Sequence, residues 1–285
     1  MSLLPLYLDN AATTPVDKRV LEAMLPFFCE QYGNASSNLH PFGWNAAESV
    51  SLAREQVSEL IGCIPEEIIF TSGATESLNL AIKGVSETYA TKGNHIITCL
   101  TEHRAVLDTC SALEKKGMAV TYLEVDSNGQ IDLDYLHKAI TEKTILISLM
   151  HVNNETGVIH PIDKIGKIAK EKGVLFLCDA SQSAGKIPLD VHNSGIDLLA
   201  LSAHKMYGPK GVGALYVRRK NPRVQITPQI TGGGQERGWR SGTLNVPGIV
   251  GLGKAAEIAK NEMRHHSKRL ARLRDEMESA FKNQL

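Results

Sequence analysis

Short runs of Ile, Val and Leu alternate with helix-patterned segments along most of the chain, and no other sequence feature constrains the fold so tightly. The apolar runs are Glu67–Phe70, His95–Leu100, Val120–Val125, Ile145–His151, Val174–Cys178, Leu198–Leu201 and Val212–Val217. Several lack the polar alternation of a half-exposed strand, so they read as strands covered on both faces. Between them, helical spacing covers Ser77–Lys92, Ala105–Lys116, Leu133–Ala139 and Ile162–Lys172. Lys92-Gly93, Lys116-Gly117 and Lys172-Gly173 each put a cation and then a glycine where a helix would stop. Strand–helix–strand repetition predicts an α/β fold with a mainly parallel sheet. After Pro247 a long helix is expected from about Ile249 to Lys282, with Met263, Leu270, Leu273, Met277 and Phe281 at helical spacing on a charged background. It reads either as a terminal helix docked on the core or as a bridge to a further domain.

Composition narrows the function classes. The 285 residues carry 31 Lys+Arg against 31 Asp+Glu, so no net charge draws the chain to nucleic acid or to an anionic membrane. No apolar stretch is long enough to span a bilayer. Met1-Ser2-Leu3-Leu4-Pro5 lacks the basic flank and apolar centre of a signal peptide, so the expectation is a cytoplasmic globular enzyme. Five cysteines, at 29, 63, 99, 110 and 178, form neither a C-x-x-C pair nor a zinc-like spacing, and no metal site is expected. Cys63, Cys99 and Cys178 sit in apolar runs and read as buried, inert thiols.

The chemistry concentrates in Ser202-Ala203-His204-Lys205-Met206-Tyr207-Gly208-Pro209-Lys210-Gly211. A lysine directly after an apolar strand, beside other cationic groups and partly desolvated, loses its proton easily and can form a Schiff base with an aldehyde. Pyridoxal phosphate is the candidate partner, and it makes further demands. Asp179, at the end of a buried strand, offers a carboxylate for the pyridine nitrogen, although a capping role would also suit it. Thr71-Ser72-Gly73-Ala74-Thr75-Glu76 follows a strand and opens a helix, so its free N–H groups can hold a phosphate. Ser202 and His204 can add contacts, and His103, just past a strand end, can cover the ring.

Together these segments resemble the cysteine desulfurases of the iron–sulfur cluster assembly type, within the class V aminotransferase-like enzymes that use pyridoxal phosphate. The resemblance is carried by Tyr7-Leu8-Asp9-Asn10-Ala11-Ala12-Thr13-Thr14-Pro15, Phe70–Ser77, Thr101-Glu102-His103, Met150–Gly157, Asp179–Ser183, His204–Gly211 and Gly232–Thr243, in that order along the whole chain. It implies the large domain of fold type I, a seven-stranded, mostly parallel sheet between helices. It also implies an N-terminal segment over 1–15, a cofactor-binding domain over 16–247 and a helix over 248–285 leading towards a smaller domain.

By the same resemblance, Lys205 would carry the cofactor and shuttle protons, Asp179 would pair the pyridine nitrogen, and His103 would stack on the ring and transfer protons. Gln182 would approach the phenolic oxygen, and Asn154 the same region and the substrate carboxylate. Ala74, Thr75, Ser202 and His204 would hold the phosphate, while Thr243 would reach the phosphate of a neighbouring subunit, implying a homodimer. L-cysteine would be the substrate, becoming alanine as its sulfur passes to an enzyme thiolate. Iron–sulfur scaffold and sulfur-relay proteins, the latter serving tRNA thiolation, would take the sulfur. Such enzymes carry the nucleophilic cysteine on a Ser/Gly-rich loop in the smaller domain, with an arginine for the substrate carboxylate, and neither is expected within these 285 residues. Two further readings stay open: a dimer that binds the cofactor without desulfurase turnover, and a related lyase for selenocysteine or cysteine sulfinate.

Overall fold

The computed structural model describes residues 5–284. Residues 1–4 and 285 lie outside the described residues, and with them most of the sequence on which the absence of a signal peptide was read. Seven strands form one sheet: β1 (Ile68–Thr71), β2 (His95–Cys99), β3 (Ala119–Leu123), β4 (Thr144–Met150), β5 (Leu175–Asp179), β6 (Leu198–Ser202) and β7 (Gly213–Val217). Their order is β1-β7-β6-β5-β4-β2-β3. Only β7 is antiparallel to its neighbours, so the other strands all end at the same edge of the sheet. The sheet is therefore mostly parallel, as the sequence predicts, and its single carboxyl edge is where side chains from several strands can converge.

Two apolar cores explain the continuous runs. In β5, Phe176 and Cys178 join the core on one face while Leu175 and Leu177 join the other. Helices α4 (Ala74–Thr88) and α5 (Arg104–Glu114) cover the second face. The first face is covered by α1 (Lys18–Met24), α3 (Pro41–Ile61), α6 (Leu133–Ala139), α7 (Ile162–Lys172) and the start of α8 (Val246–Gln284). A short helix, α2 (Pro26–Cys29), joins α1 towards α3. Each fully buried Leu, Ile or Phe of these cores contributes roughly 1.5–3 kcal/mol.

Several boundaries differ from the sequence reading, with identifiable causes. Helix α4 starts at Ala74, three residues before the expected Ser77, because Gly73 takes a φ of +150° and turns the chain directly into the helix. It stops at Thr88 rather than Lys92, and Gly93 has a packing reason instead: a Cβ there would lie 2.1 Å from the Lys143 carbonyl oxygen. Gly173 does cap α7, with φ +65° and its N–H donated to Ala169 and Lys170. Helices α1–α3 had no counterpart in the sequence reading. Of the cysteines, Cys99 and Cys178 are buried as expected, Cys63 is only partly buried, and Cys110, on α5, is buried as well. The first turns of α8 pack against α3 so closely that a Cβ on Gly253 would lie 2.5 Å from the Ala53 Cα. Leu270, Leu273, Met277 and Phe281, further along α8, are exposed and not docked on the described core.

Candidate active site

A cavity of about 690 Å³ opens at the carboxyl edge of the sheet. Its lining comes from the β1–α4 turn, from the residues after β2, β4, β5 and β6, and from the N-terminal stretch at Asp9, Ala11 and Ala12. Lys205 follows β6 on a single helical turn, and its Nζ donates to the carbonyl oxygens of Ala11 at 2.6 Å and Ala12 at 2.9 Å. Partial burial lowers its affinity for a proton, although Asp179, Asp9 and Glu155 pull the other way. The N-terminal stretch is itself held to the lysine turn. Thr14 Oγ1 donates to the His204 carbonyl and accepts from the Tyr207 N–H, and Thr13 Oγ1 lies 3.1 Å from His204 Nδ1.

Asp179 ends β5 and is 7% exposed. Its Oδ1 accepts the Ser181 N–H at 2.9 Å and the Ser181 hydroxyl at 2.5 Å. Burial pushes this carboxyl above its ordinary range, while the Ser181 bonds and the nearby His103 and Lys205 oppose the rise. Glu102, also buried, is pushed well above the usual carboxylate range by desolvation, and its Oε1 accepts the Met150 N–H at 2.6 Å. The negative charge of Asp179 pushes Glu102 in the same direction, so burial and this neighbour together disfavour the charged form of Glu102.

Helix α4 begins at Ala74, and its N-cap residue, Gly73, offers no side chain to cap the N-terminus. Ala74 and Thr75 therefore present unsatisfied N–H groups where the positive end of the helix faces the cavity. Close packing dictates glycine here. A Cβ on Gly213 of β7 would lie 2.7 Å from the Gly73 Cα and 2.5 Å from the Leu201 carbonyl oxygen, so only a bare backbone lets the turn settle on β6 and β7. Glu76 steadies the turn by accepting the Ser72 N–H at 2.7 Å while pairing with Arg240, also at 2.7 Å.

The class-V aminotransferase profile matches residues 6–284. The chain belongs to the class V aminotransferase family. Its enzymes of this type depend on pyridoxal phosphate. The chain is 60% identical over 274 residues to the cysteine desulfurase IscS of Anaeromyxobacter sp. (strain Fw109-5), a match covering 96% of this chain and 68% of that protein. It is 56% identical over 283 residues to the cysteine desulfurase IscS of Rickettsia bellii (strain OSU 85-389), covering 99% of this chain and 69% of that one. Among solved structures, a NifS-like protein superposes with a TM-score of 0.94 at 46% identity, covering 98% of this chain and 76% of the other. A second, SspA in complex with cysteine, superposes with a TM-score of 0.85 at 46% identity, covering 88% and 72%. The class V aminotransferase fold seen here is thus that of a cysteine desulfurase dependent on pyridoxal phosphate.

The residues present fit that cofactor. An amine with a lowered proton affinity, a buried carboxylate and an uncapped helix end are the donor set that an aldehyde, a pyridine nitrogen and a phosphate require. Of the residues singled out in the sequence, Ala74, Thr75, His103, Asn154, Asp179, Gln182, Ser202, His204 and Lys205 all line the cavity. Thr243 does not; it is exposed and lies outside the lining. His103 is exposed at the rim, and its Nδ1 accepts the Ala105 N–H at 3.0 Å, so it caps α5 while facing the cavity. Asn154 donates from Nδ2 to Glu155 at 2.6 Å, and Gln182 donates from Nε2 to the Ala11 carbonyl at 2.8 Å. The sequence reading missed Ser181, the carbonyls of Ala11 and Ala12, and Glu102. The Asp-x-Ser spacing of 179–181 was the available signal for Ser181, whereas main-chain acceptors leave none.

Proposed function

We propose that the chain desulfurates L-cysteine, with Lys205 as the amine that holds the cofactor and moves the proton at the substrate Cα. The observation that carries this is one cavity lined by Lys205, by Asp179 and by the uncapped end of α4. Pyridoxal phosphate, when bound there, supplies an aldehyde for the amine and a ring that takes up the electron pair released at a substrate carbon. Asp179 holds a proton on the ring nitrogen, and Ser181 keeps that carboxylate oriented. The N–H groups of Ala74 and Thr75, with Ser202 and His204, bind the phosphate. His103 covers the ring and Asn154 orients the substrate carboxylate. With the cofactor bound, Lys205 would act as the base at the substrate Cα from within the site, where its Nζ reaches the carbonyls of Ala11 and Ala12.

Thr243 completes the phosphate site of a second copy, in a homodimer. Its exposure outside its own cavity supports this, as do the exposed apolar side chains of Phe28, Tyr32, Leu39, Phe42 and Trp44. The sulfur would serve iron–sulfur cluster assembly and tRNA thiolation through scaffold and relay proteins, a reading that rests on the motif resemblance, while the names of the relatives support the desulfuration itself. Five unpaired cysteines support a reducing, cytoplasmic setting, and no helix of the described residues is long and apolar enough to cross a membrane.

Borohydride treatment of the cofactor-loaded protein followed by peptide mapping tests the assignment. The reduced adduct is expected on Lys205, and an adduct retained by Lys205→Ala would overturn it. A second reading, a dimer that binds cofactor without turnover, is favoured by one observation: among the described residues no cysteine lines the cavity. Sulfide release from L-cysteine in the presence of a thiol reductant separates the two.

A further inference from the structure

Beside the cavity lies a second lysine with no evident task. Lys186 is partly buried in the turn after β5, and among the described residues no carboxylate lies within ion-pair distance of it. Its side-chain partner is an amide: Nζ donates to Gln182 Oε1 at 2.9 Å. Gln182 in turn donates from Nε2 to the Ala11 carbonyl at 2.8 Å, the same oxygen that accepts from Lys205 Nζ at 2.6 Å. Lys186, Gln182, Ala11 and Lys205 thus form one connected chain of hydrogen bonds.

The direction of this chain follows from chemistry. An ammonium has three donors and no acceptor, so it can face only the oxygen of the Gln182 amide. The NH2 end must then point the other way, towards Ala11 and the cavity that Gln182 lines. The Ala11 carbonyl, which can only accept, also requires the NH2 end, so Lys186 and Ala11 hold the two ends of the Gln182 amide in one and the same orientation. The backbone at Lys186 is itself wedged in place. A Cβ on Gly185 would lie 3.0 Å from the Ala259 Cβ on α8 and 3.2 Å from the Met206 Cβ beside Lys205, and Ser267 of α8 donates to the Lys186 carbonyl at 2.9 Å.

We propose that Lys186 is a positioning residue for the cofactor site, holding the Gln182 carboxamide by its oxygen so that the NH2 end donates to the phenolic oxygen of pyridoxal phosphate. This rests on the reading of Gln182 as the residue that approaches that oxygen. Burial without a carboxylate, and then the charge on Lys205, bring the Lys186 ammonium down to about 8, a cost that a lysine free to reach solvent would avoid. The charged and titratable groups around it and its partner are Lys205, His204 and Lys210 on the lysine turn, Asp179 at the end of β5, Glu155 after β4 and Asp9 of the N-terminal stretch.

The test is the spectrophotometric pH titration of the Schiff-base chromophore in the cofactor-loaded protein, with no substrate. A donor to the phenolate oxygen favours the deprotonated chromophore, in which that negative charge is uncompensated. Gln182→Leu and Lys186→Met should each raise the chromophore's apparent pKa by about one unit. Lys186→Arg, which keeps the charge and the donors, should titrate like the parent. In the Gln182→Leu background, Lys186→Met should add no further shift, because its effect passes through the amide. Equal shifts in both backgrounds would mean that the charge alone acts, and would overturn the proposal. A shift in Gln182→Leu but none in Lys186→Met would overturn it while leaving the Gln182 reading intact. No shift in Gln182→Leu would remove the Gln182 reading and the proposal with it. Circular dichroism of the Lys186→Arg and Lys186→Met proteins checks that both fold.

Discussion

The amines at the carboxyl edge of the sheet and the thiols inside the molecule experience the same force with opposite chemical results. Partial burial lowers the proton affinity of Lys205, which moves it towards the neutral amine that attacks an aldehyde. Burial raises Cys63, Cys99, Cys110 and Cys178, Cys110 to about 12, which moves them away from the thiolate that captures sulfur. Desolvation always disfavours the charged form, and the charged form is the idle one for an amine but the reactive one for a thiol. The described residues therefore equip this chain to activate an amino acid, while none of its buried thiols is poised to receive a sulfur atom.

The sharpest way to break that contrast is on the amine side. Lys205→Ala should abolish the borohydride-fixed adduct and lower sulfide release by on the order of 10³-fold, within the span that a positioned acid–base group contributes. A variant that still turns over at a tenth of the parental rate would mean that another base serves. Asp179→Asn should have the next largest effect, because an amide cannot hold the ring nitrogen protonated by charge. Turnover should fall by on the order of 10²-fold, comparable with the loss of one charge-assisted bond. The loss should lie in kcat more than in KM, since Asp179, at the end of β5, would act on the cofactor ring and not on the substrate.

How much of this was legible beforehand depends on what each feature is made of. The sheet was readable because strands covered on both faces leave long apolar runs, and Leu175–Cys178 shows both faces filled. Nine of the ten named site residues line one cavity, because groups that follow parallel strands converge wherever the sheet ends. Helix α3 was not readable in the same way: its buried face is built partly from Gly43, Ala46, Ala53 and Ser58, which carry little periodic apolar signal. The start of α4 was misplaced because a turn with φ +150° at Gly73 and an uncapped helix look alike in sequence. The carbonyls of Ala11 and Ala12 leave no side-chain signature at all, and nothing in the sequence around Lys186 distinguishes it from a surface lysine; its amide partner is visible only in the fold.

On the thiol side, the contrast predicts selective alkylation. Treated with iodoacetamide in the folded state, the protein should be modified first at Cys29, which is exposed, while Cys99, Cys110 and Cys178 should react far more slowly until denaturant is added. Peptide mass spectrometry at short times reads this directly, with the buried sites slower by on the order of 10²-fold, as expected when attack waits for local opening. Fast labelling of Cys99 or Cys178 would show that burial does not silence these thiols and would dissolve the comparison. Cys29→Ser should leave cofactor retention unchanged, because Cys29 lies outside the cavity lining.

The smallest effect comes from a third kind of group under the same force. His151 is 5% exposed, its Nδ1 has no hydrogen-bond partner, and burial brings the imidazole down to about 4, with Asp163 opposing and His160 assisting. Its folded-state value lies below that of the unfolded chain, so between about pH 6.5 and 4 the unfolded state binds more protons. The stability contributed by the neutral ring is therefore fully present above pH 6.5 and lost as the pH falls towards 4. The change is at most about 3 kcal/mol, or several degrees in Tm. His151→Gln cannot take up the proton, so its Tm should fall less steeply than the parent's over that interval, whatever its absolute stability. Carboxylates and His160 contribute a slope common to both proteins, which makes the difference between the two curves the quantity to read. Parallel curves would mean that the ring reaches solvent readily in the folded state, and the desolvation held responsible for both the quiet thiols and the reactive lysine would then be weaker than the packing around it implies.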